Sequence, residues 1–257
     1  MYLAEGAEAE VVPGGHLREP ALLALDDLVV TAWAASGPGG YEDYMLRTHG
    51  NSWWLWAGGD DFRFDNATGL LESVSMHLPE TNLADPGVIG PWLELTPMAG
   101  VLHREDKKLF SSEVADVRWC AEDGGVLVGL YASAMATAAE PLRLRVTDEF
   151  DLLFANGRLA GWLLENPEQH LVGPEDDTVD AQPPDPEFAV LLKHYFDLID
   201  DPHMEELFEK EDPVGRQLLA SLRERIALDR GATHRRSVLS EKIRSHDAMW
   251  YGPPGAW

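Results

Sequence analysis

Two histidines and a carboxylate near the C-terminal end of the chain could hold a metal ion. In the stretch KHYFDLIDDPHMEE, His194 and Asp197 are three residues apart and His203 follows an Asp-Asp-Pro break. Residues at i and i+3 share one face of a helix, and a turn would bring His203 toward them. Zinc or ferrous iron accepts two imidazoles and one carboxylate with open positions. A solvated acidic helix-turn-helix explains the same residues without a metal, so we predict no cofactor.

Large aromatic side chains provide a second candidate site. The chain has nine tryptophans, and three of them lie in the stretch WWLW at positions 53–56. Trp54, Trp56, Phe62 and Trp162 could line an apolar pocket in a β region. The same residues also suit the core of a twisted sheet, because large aromatics bury much apolar surface. Both interpretations remain open from the sequence.

The charge of the chain bears on its partners. Asp and Glu number 45 against 20 Lys and Arg, which gives a formal net charge of −25. Such a chain is repelled by phosphate backbones and anionic membranes and attracts basic proteins. A solubilising surface would give the same excess. The acidic stretches that could contact a basic partner are Asp60, Asp61, Asp148, Glu149, Glu175, Asp176 and Asp177.

Established short motifs are missing from the sequence. It contains no nucleophile elbow, P-loop, dinucleotide glycine pattern or metalloprotease histidine pair. The single cysteine, Cys120, excludes an intrachain disulfide and a four-cysteine zinc site. The start of the sequence lacks the basic and apolar regions of a signal peptide, and no apolar stretch is long enough to span a membrane. We therefore expect a cytoplasmic protein, with a buried and unreactive Cys120.

The elements that position these residues follow from periodicity. Residues 44–78 alternate apolar and polar positions between turn-forming stretches, which predicts a three-stranded meander. Residues 141–168 repeat this pattern at an offset of 88, with Phe150 at the place of Phe62 and Trp162 at that of Val74. A tight turn is predicted at Asn156-Gly157. The sequence thus predicts two related antiparallel meanders, and their common register favours an internal repeat.

The pattern changes near residue 186 from period two to helical spacing. We predict an α+β fold with a loosely ordered N-terminus at 1–20, an antiparallel β region at 21–171, an acidic Pro-rich linker at 172–187 and helices packed on the β region at 188–257. Residues 214–244 contain eight basic and three acidic residues. We expect this basic region to dock on the acidic body of the protein itself.

Two classes of function stay open. The charge favours an acidic interaction protein that binds a basic protein, such as an immunity-type or antitoxin-type inhibitor or another regulatory partner. The alternative is a small-molecule-binding protein or an enzyme that uses the aromatic pocket or the His/Asp metal site. The sequence predicts neither the partner nor the oligomeric state.

Overall fold

The computed structural model of the chain describes residues 1–33, 40–51, 60–135, 139–174, 176, 178–200, 204, 213–228, 231 and 233–251. These residues form two β-sheets and a group of helices that is mainly C-terminal. The predicted α+β class is therefore confirmed.

The strands follow the chain in order. They are β1 (Tyr2–Ala4), β2 (Ala7–Glu8), β3 (Glu10–Pro13), β4 (Leu22–Ala24), β5 (Val29–Ala32), β6 (Thr48–Gly50), β7 (Asp61–Asp65), β8 (Leu71–His77), β9 (Met98–His103), β10 (Val117–Cys120), β11 (Val126–Leu130), β12 (Pro141–Thr147), β13 (Phe150–Ala155), β14 (Arg158–Glu165) and β15 (Leu171–Val172).

Helices lie between the strands and after them. They are α1 (Gly40–Arg47), α2 (Gly90–Leu93), α3 (Ala132–Met135), α4 (Pro186–Leu198), α5 (Pro213–Leu228) and α6 (Thr233–Tyr251), with short 3₁₀ helices at Pro86–Ile89 and Pro167–His170. Helix α4 begins where the sequence indicates, because the Asp185 side chain accepts a hydrogen bond from the N–H of Phe188 and Pro186 needs no N–H partner.

Both sheets are mixed, so the purely antiparallel prediction is wrong. The nine-stranded sheet has the order β10-β11-β14-β13-β12-β9-β3, with β1 paired to β14 and to β2, and the six-stranded sheet has the order β15-β4-β5-β8-β7-β6. The parallel pairs are β1 with β14, β9 with β12 and β4 with β15. Each joins strands that are distant in the chain, because parallel pairing requires a long connection.

The two sheets contain units with the same strand order. In one sheet β4-β5-β8-β7-β6 are neighbours, and in the other β10-β11-β14-β13-β12 are. All pairs within each unit are antiparallel. A helix follows the second strand of each unit in the chain, α1 in the first and α3 in the second.

The hairpins of the predicted meanders differ in their pairing. Phe62 on β7 pairs with Val74 on β8, whereas Phe150 on β13 pairs with Leu164 on β14 and not with Trp162. The second hairpin closes through Asn156 and Gly157, both at positive φ, as the tight-turn prediction requires. A difference of two residues leaves every side chain on its own face of the sheet.

The N-terminal segment is ordered, contrary to the prediction for residues 1–20. It forms β1, β2 and β3, which join β14 and β9 at two places in the larger sheet. The segment is acidic and carries Gly and Pro, but its backbone groups find partners that lie far away in the chain. Such pairing leaves no local signal in the sequence.

One hydrophobic core contains buried residues from both sheets and from α4, α5 and α6. The basic C-terminal region forms ion pairs with acidic residues of the rest of the protein. Arg235 of α6 pairs with Glu168, Arg236 pairs with Asp185 at 2.8 Å, and Lys242 pairs with Asp26 at 2.9 Å. Arg235 also donates to the carbonyl oxygens of Gln182 and Pro183, so the predicted linker forms part of this contact.

Candidate functional site

A polar cleft of about 450 Å³ lies where the N-terminal strand joins the larger sheet. Its volume is within the range of small-molecule sites, although its lining is more polar than is usual for them. Strand β1, the turn after it, residues 111–113, the start of α3 and the start of β14 provide the walls. Tyr131 also lines the cleft.

Non-local backbone pairing assembles these walls. Tyr2 of β1 lies beside Arg158 of β14, and the Tyr2 N–H donates to the Gly157 carbonyl at 2.7 Å. The N–H of Tyr131 donates to the Ala160 carbonyl at 3.0 Å, and the Ala132 N–H donates to the Asp116 carboxylate at 2.5 Å. The cleft is therefore framed by hydrogen-bonded backbone and not by free loops.

Three charged side chains line the cleft, namely Glu5, Glu113 and Arg158. All three are exposed. Within the described part of the chain none of them forms an ion pair, so no carboxylate oxygen lies within 4.0 Å of the Arg158 guanidinium nitrogens. The guanidinium instead lies over the ring of Tyr2, 4.0 Å from its centroid. Opposite charges thus line one cleft without neutralising each other.

A buried carboxylate lies behind the cleft. Asp60 is fully buried and accepts hydrogen bonds from the Tyr131 hydroxyl and from the His77 N–H, the latter at 2.5 Å. Loss of hydration raises the pKa of Asp60 to about 7, and these hydrogen bonds offset part of the rise. The backbone carbonyl of Asp60 accepts from Ser112, which also lines the cleft.

The predicted contact residues occupy different environments. Asp60 faces the interior, which excludes it from direct contact with a partner's surface, and burial raises the pKa of the partly buried Asp61 to about 6. Asp148 is exposed, and Glu149 is partly buried beside His170, whose Nε2 lies 2.9 Å from its carboxylate. Hydrogen bonding to His170 lowers the pKa of Glu149.

The third predicted acidic stretch is described only at its centre. Asp176 is exposed and lies 2.9 Å from Nε2 of His234 on α6. Its carboxylate also accepts from the N–H of Gly173 at 2.8 Å. Glu175 and Asp177 lie outside the described residues.

The predicted metal ligands are described only in part. His194 and Asp197 both lie on α4, and His203 falls outside the described residues. The Asp197 carboxylate bonds to Lys193 at 2.7 Å, and burial, assisted by Arg225, lowers the pKa of His194. The part of the chain that the structure describes contains no group of three His, Cys, Asp or Glu side chains that could hold a metal ion.

The described members of the predicted aromatic pocket belong to the core. Phe62 and Trp162 are fully buried in the hydrophobic core. The Trp162 indole N–H donates to the His77 carbonyl at 3.1 Å, and Phe150 lies beside its ring. These two aromatics therefore stabilise the contact between the sheets, while Trp54 and Trp56 are outside the described residues.

Sequence reasoning missed the charged residues of the cleft. Glu5 lies in a segment predicted to be loosely ordered, and Arg158 looks like an ordinary residue after a hairpin turn. Only the pairing of β1 with β14 brings them together. No local spacing in the sequence indicates that contact.

The fold and the cleft together define an α+β protein with two mixed sheets and a polar surface site. Comparison of the chain with protein-family models, with curated proteins and with solved structures found no match. Among the described helices, none has the length and apolar character needed to cross a membrane.

Proposed function

We propose that this is a non-enzymatic interaction protein whose acidic surface binds a basic protein partner. The observation that carries the proposal is the unequal burial of charge. Among the described residues, six Lys and Arg side chains are buried against three Asp and Glu side chains, although acidic residues outnumber basic ones by 45 to 20 in the full sequence. The buried cations are Arg63, Arg104, Arg118, Arg143, Arg235 and Arg236, and the buried acids are Asp60, Asp151 and Glu168.

This pattern makes the surface more acidic than the composition alone indicates. Two of the buried cations, Arg235 and Arg236, pair with carboxylates of the protein's own body. An acidic surface of this kind accelerates association with a basic protein and disfavours nucleic acid and anionic lipid. Immunity-type, antitoxin-type and regulatory inhibitors of basic proteins all need an acidic surface that attracts their target.

The edge of the larger sheet is the surface we assign to the partner. We define the β3 edge as Glu8, Glu10 and Glu105, which are all exposed. Glu10 pairs in register with His103 of β9, two residues before Glu105. Strand β3 ends the order of the larger sheet, so these carboxylates border an edge strand. Asp148 and Asp176 provide further exposed negative charge.

The experiment is a pull-down from the lysate of the native host with untagged protein coupled to a matrix, at low and at moderate salt. We expect a basic protein that is retained at low salt and released as salt increases, because screening weakens exposed charge pairs. The bait with Glu8→Gln, Glu10→Gln and Glu105→Gln should retain much less of it.

The matched control bait carries Glu42→Gln, Glu94→Gln and Glu224→Gln, which removes the same charge from exposed positions elsewhere. It should retain the partner as the unmodified protein does. Retention that does not depend on salt, equal loss with both triple variants, or an empty bait would contradict the proposal.

We further propose a cytoplasmic location and an origin of the two five-strand units by duplication. The single cysteine supports the location. The shared strand order of β4-β5-β8-β7-β6 and β10-β11-β14-β13-β12, with a helix after the second strand of each, supports the duplication. The difference in hairpin pairing indicates that the units have diverged.

A further inference from the structure

We infer that the cleft between β1 and the start of β14 binds a small zwitterion that carries an ammonium and a carboxylate group, of the size of an amino acid or a short peptide. The inference is independent of the proposed protein partner, because the cleft and the β3 edge use different side chains.

The arrangement of charge carries the inference. Arg158, Glu5 and Glu113 line one cleft and form no ion pairs with one another or with other described residues. A ligand with one positive and one negative group can contact both kinds of side chain at the same time. An anion alone would leave the glutamates unpaired and repelled, and a cation alone would be repelled by Arg158.

The position of the Arg158 guanidinium suits binding of a carboxylate. It lies over the Tyr2 ring, 4.0 Å from the ring centroid, and this cation–π contact favours one position of the group. A guanidinium has N–H groups in one plane that can form two parallel hydrogen bonds to a carboxylate. Strand pairing of Tyr2 with Arg158 positions both partners of this contact.

The other walls provide acceptors and hydroxyl groups. Glu5 and Glu113 accept hydrogen bonds from an ammonium group, and Ser111 and Ser133 add hydroxyls. The volume of about 450 Å³ accommodates an amino acid or a short peptide. We therefore assign the carboxylate of the ligand to Arg158 and its ammonium to the two glutamates.

The test measures binding of the intact protein to the proteinogenic L-amino acids and to glycylglycine, one at a time, by thermal shift and then by calorimetry. We expect saturable binding of at least one of these zwitterions at millimolar concentration or below. Its N-acetyl derivative and its amide derivative should each bind about tenfold more weakly or worse, because each loses one charged contact.

Two variants test which side chains bind the carboxylate and the ammonium group of the ligand. Arg158→Met should weaken binding about tenfold and abolish the preference for the free acid over the amide. Glu113→Gln with Glu5→Gln should instead abolish the preference for the free amine over its N-acetyl form. The controls Arg223→Met and Glu224→Gln on α5 are exposed and should bind as the unmodified protein does.

Two results of these binding measurements would overturn the assignment of the ligand. If no zwitterion of the panel binds at millimolar concentration, or if Arg158→Met leaves affinity and selectivity unchanged, the assignment is wrong. Salt-dependent capture of a basic protein would be unaffected by that result.

Discussion

The hydroxyl of Tyr131 donates a hydrogen bond to Oδ2 of Asp60 in the interior, where the two residues are 4% and 0% exposed. Asp60 directly precedes β7 of the smaller sheet, and Tyr131 directly follows β11 of the larger sheet. The bond therefore joins the two sheets behind the cleft. Burial raises the pKa of Asp60 to about 7 and raises the pKa of Tyr131 as well.

The pKa of Asp60 predicts a pH dependence of stability. The carboxyl group ionises near pH 3.8 when unfolded and near pH 7 when folded, so the folded state binds more protons between these values. The contribution of this group to the free energy of unfolding therefore falls as the pH rises from about 4 to about 7, by about 1.4 kcal/mol per unit of pKa difference.

Asp60→Asn should remove that contribution, because a neutral amide does not titrate. Urea unfolding between pH 4 and pH 8 should show that the variant gains stability relative to the unmodified protein as the pH rises. Asp148→Asn, at an exposed position, is the control and should follow the unmodified protein. A constant difference between Asp60→Asn and the unmodified protein at every pH would refute the prediction.

Tyr131→Phe tests the other side of the same bond. Removal of the hydroxyl takes a donor from the buried carboxylate, which should raise the pKa of Asp60 further, since this hydrogen bond lowers it. We expect a loss of about 1–3 kcal/mol in the free energy of unfolding. The loss should be larger at pH 8 than at pH 5, because the hydroxyl stabilises the ionised form. Equal losses at both pH values would show that the hydroxyl does not favour ionisation.

Short sequence patterns predicted the turns and helix starts that depend on neighbouring residues. Asn156-Gly157 forms its turn because both residues adopt positive φ, and α4 begins after Asp185 because its side chain caps the helix. The buried role of Asp60 left no such signal. In the sequence it is one of two adjacent acids after a glycine pair, and consecutive strand residues point to opposite faces.

Contacts between distant parts of the chain determine the features of the fold that the sequence did not predict. The pairing of Tyr2 with Arg158 joins the two ends of a long stretch of chain, so no window of the sequence contains both partners. The parallel pairs and the cleft depend on such contacts. For this reason the α+β class could be predicted, whereas the mixed sheets and the candidate site could not.

Arg118 should be one of the most sensitive side chains in the protein. It is fully buried and donates to the Asn82 side chain at 2.9 Å, to the Pro79 carbonyl at 2.8 Å and to the Phe196 carbonyl at 2.6 Å. Arg118→Met would leave these acceptors unpaired and loosen the end of α4 from β10. We expect a loss of about 3 kcal/mol or more in chemical denaturation.

The matched control for this prediction is Arg223→Met on the exposed face of α5. It should change the free energy of unfolding by no more than about 0.5 kcal/mol. Similar losses for both variants would mean that the buried hydrogen bonds of Arg118 contribute little.

Cys120 should react slowly with alkylating reagents. Burial raises the pKa of its thiol to about 12, with a further contribution from Asp197. Only the thiolate attacks iodoacetamide, so the native protein should be alkylated far more slowly than the protein in denaturant. Mass spectrometry over time measures both rates. Rapid modification of the native protein below pH 9 would contradict the raised pKa of this partly buried thiol.

The pair formed by Glu168 and Arg235 allows a test of how the C-terminal helix is held. Both side chains are buried, and loss of hydration raises the pKa of Glu168 even beside Arg235. Arg235→Met should cost about 3–5 kcal/mol, because it leaves a buried carboxylate without its counter-charge. The pKa of Glu168 should then rise further, so the loss should grow as the pH increases above 4.5.

Adding Glu168→Gln to Arg235→Met should recover part of this loss, since the double variant buries no unpaired charge. Its free energy of unfolding, measured by urea denaturation at pH 5 and pH 8, should be higher than that of Arg235→Met at pH 8. The double variant could instead lose as much free energy of unfolding as Arg235→Met and Glu168→Gln lose together. That result would mean that the loss comes from the packing and hydrogen bonds of each side chain. Charge pairing would then not be what holds α6 on the acidic body.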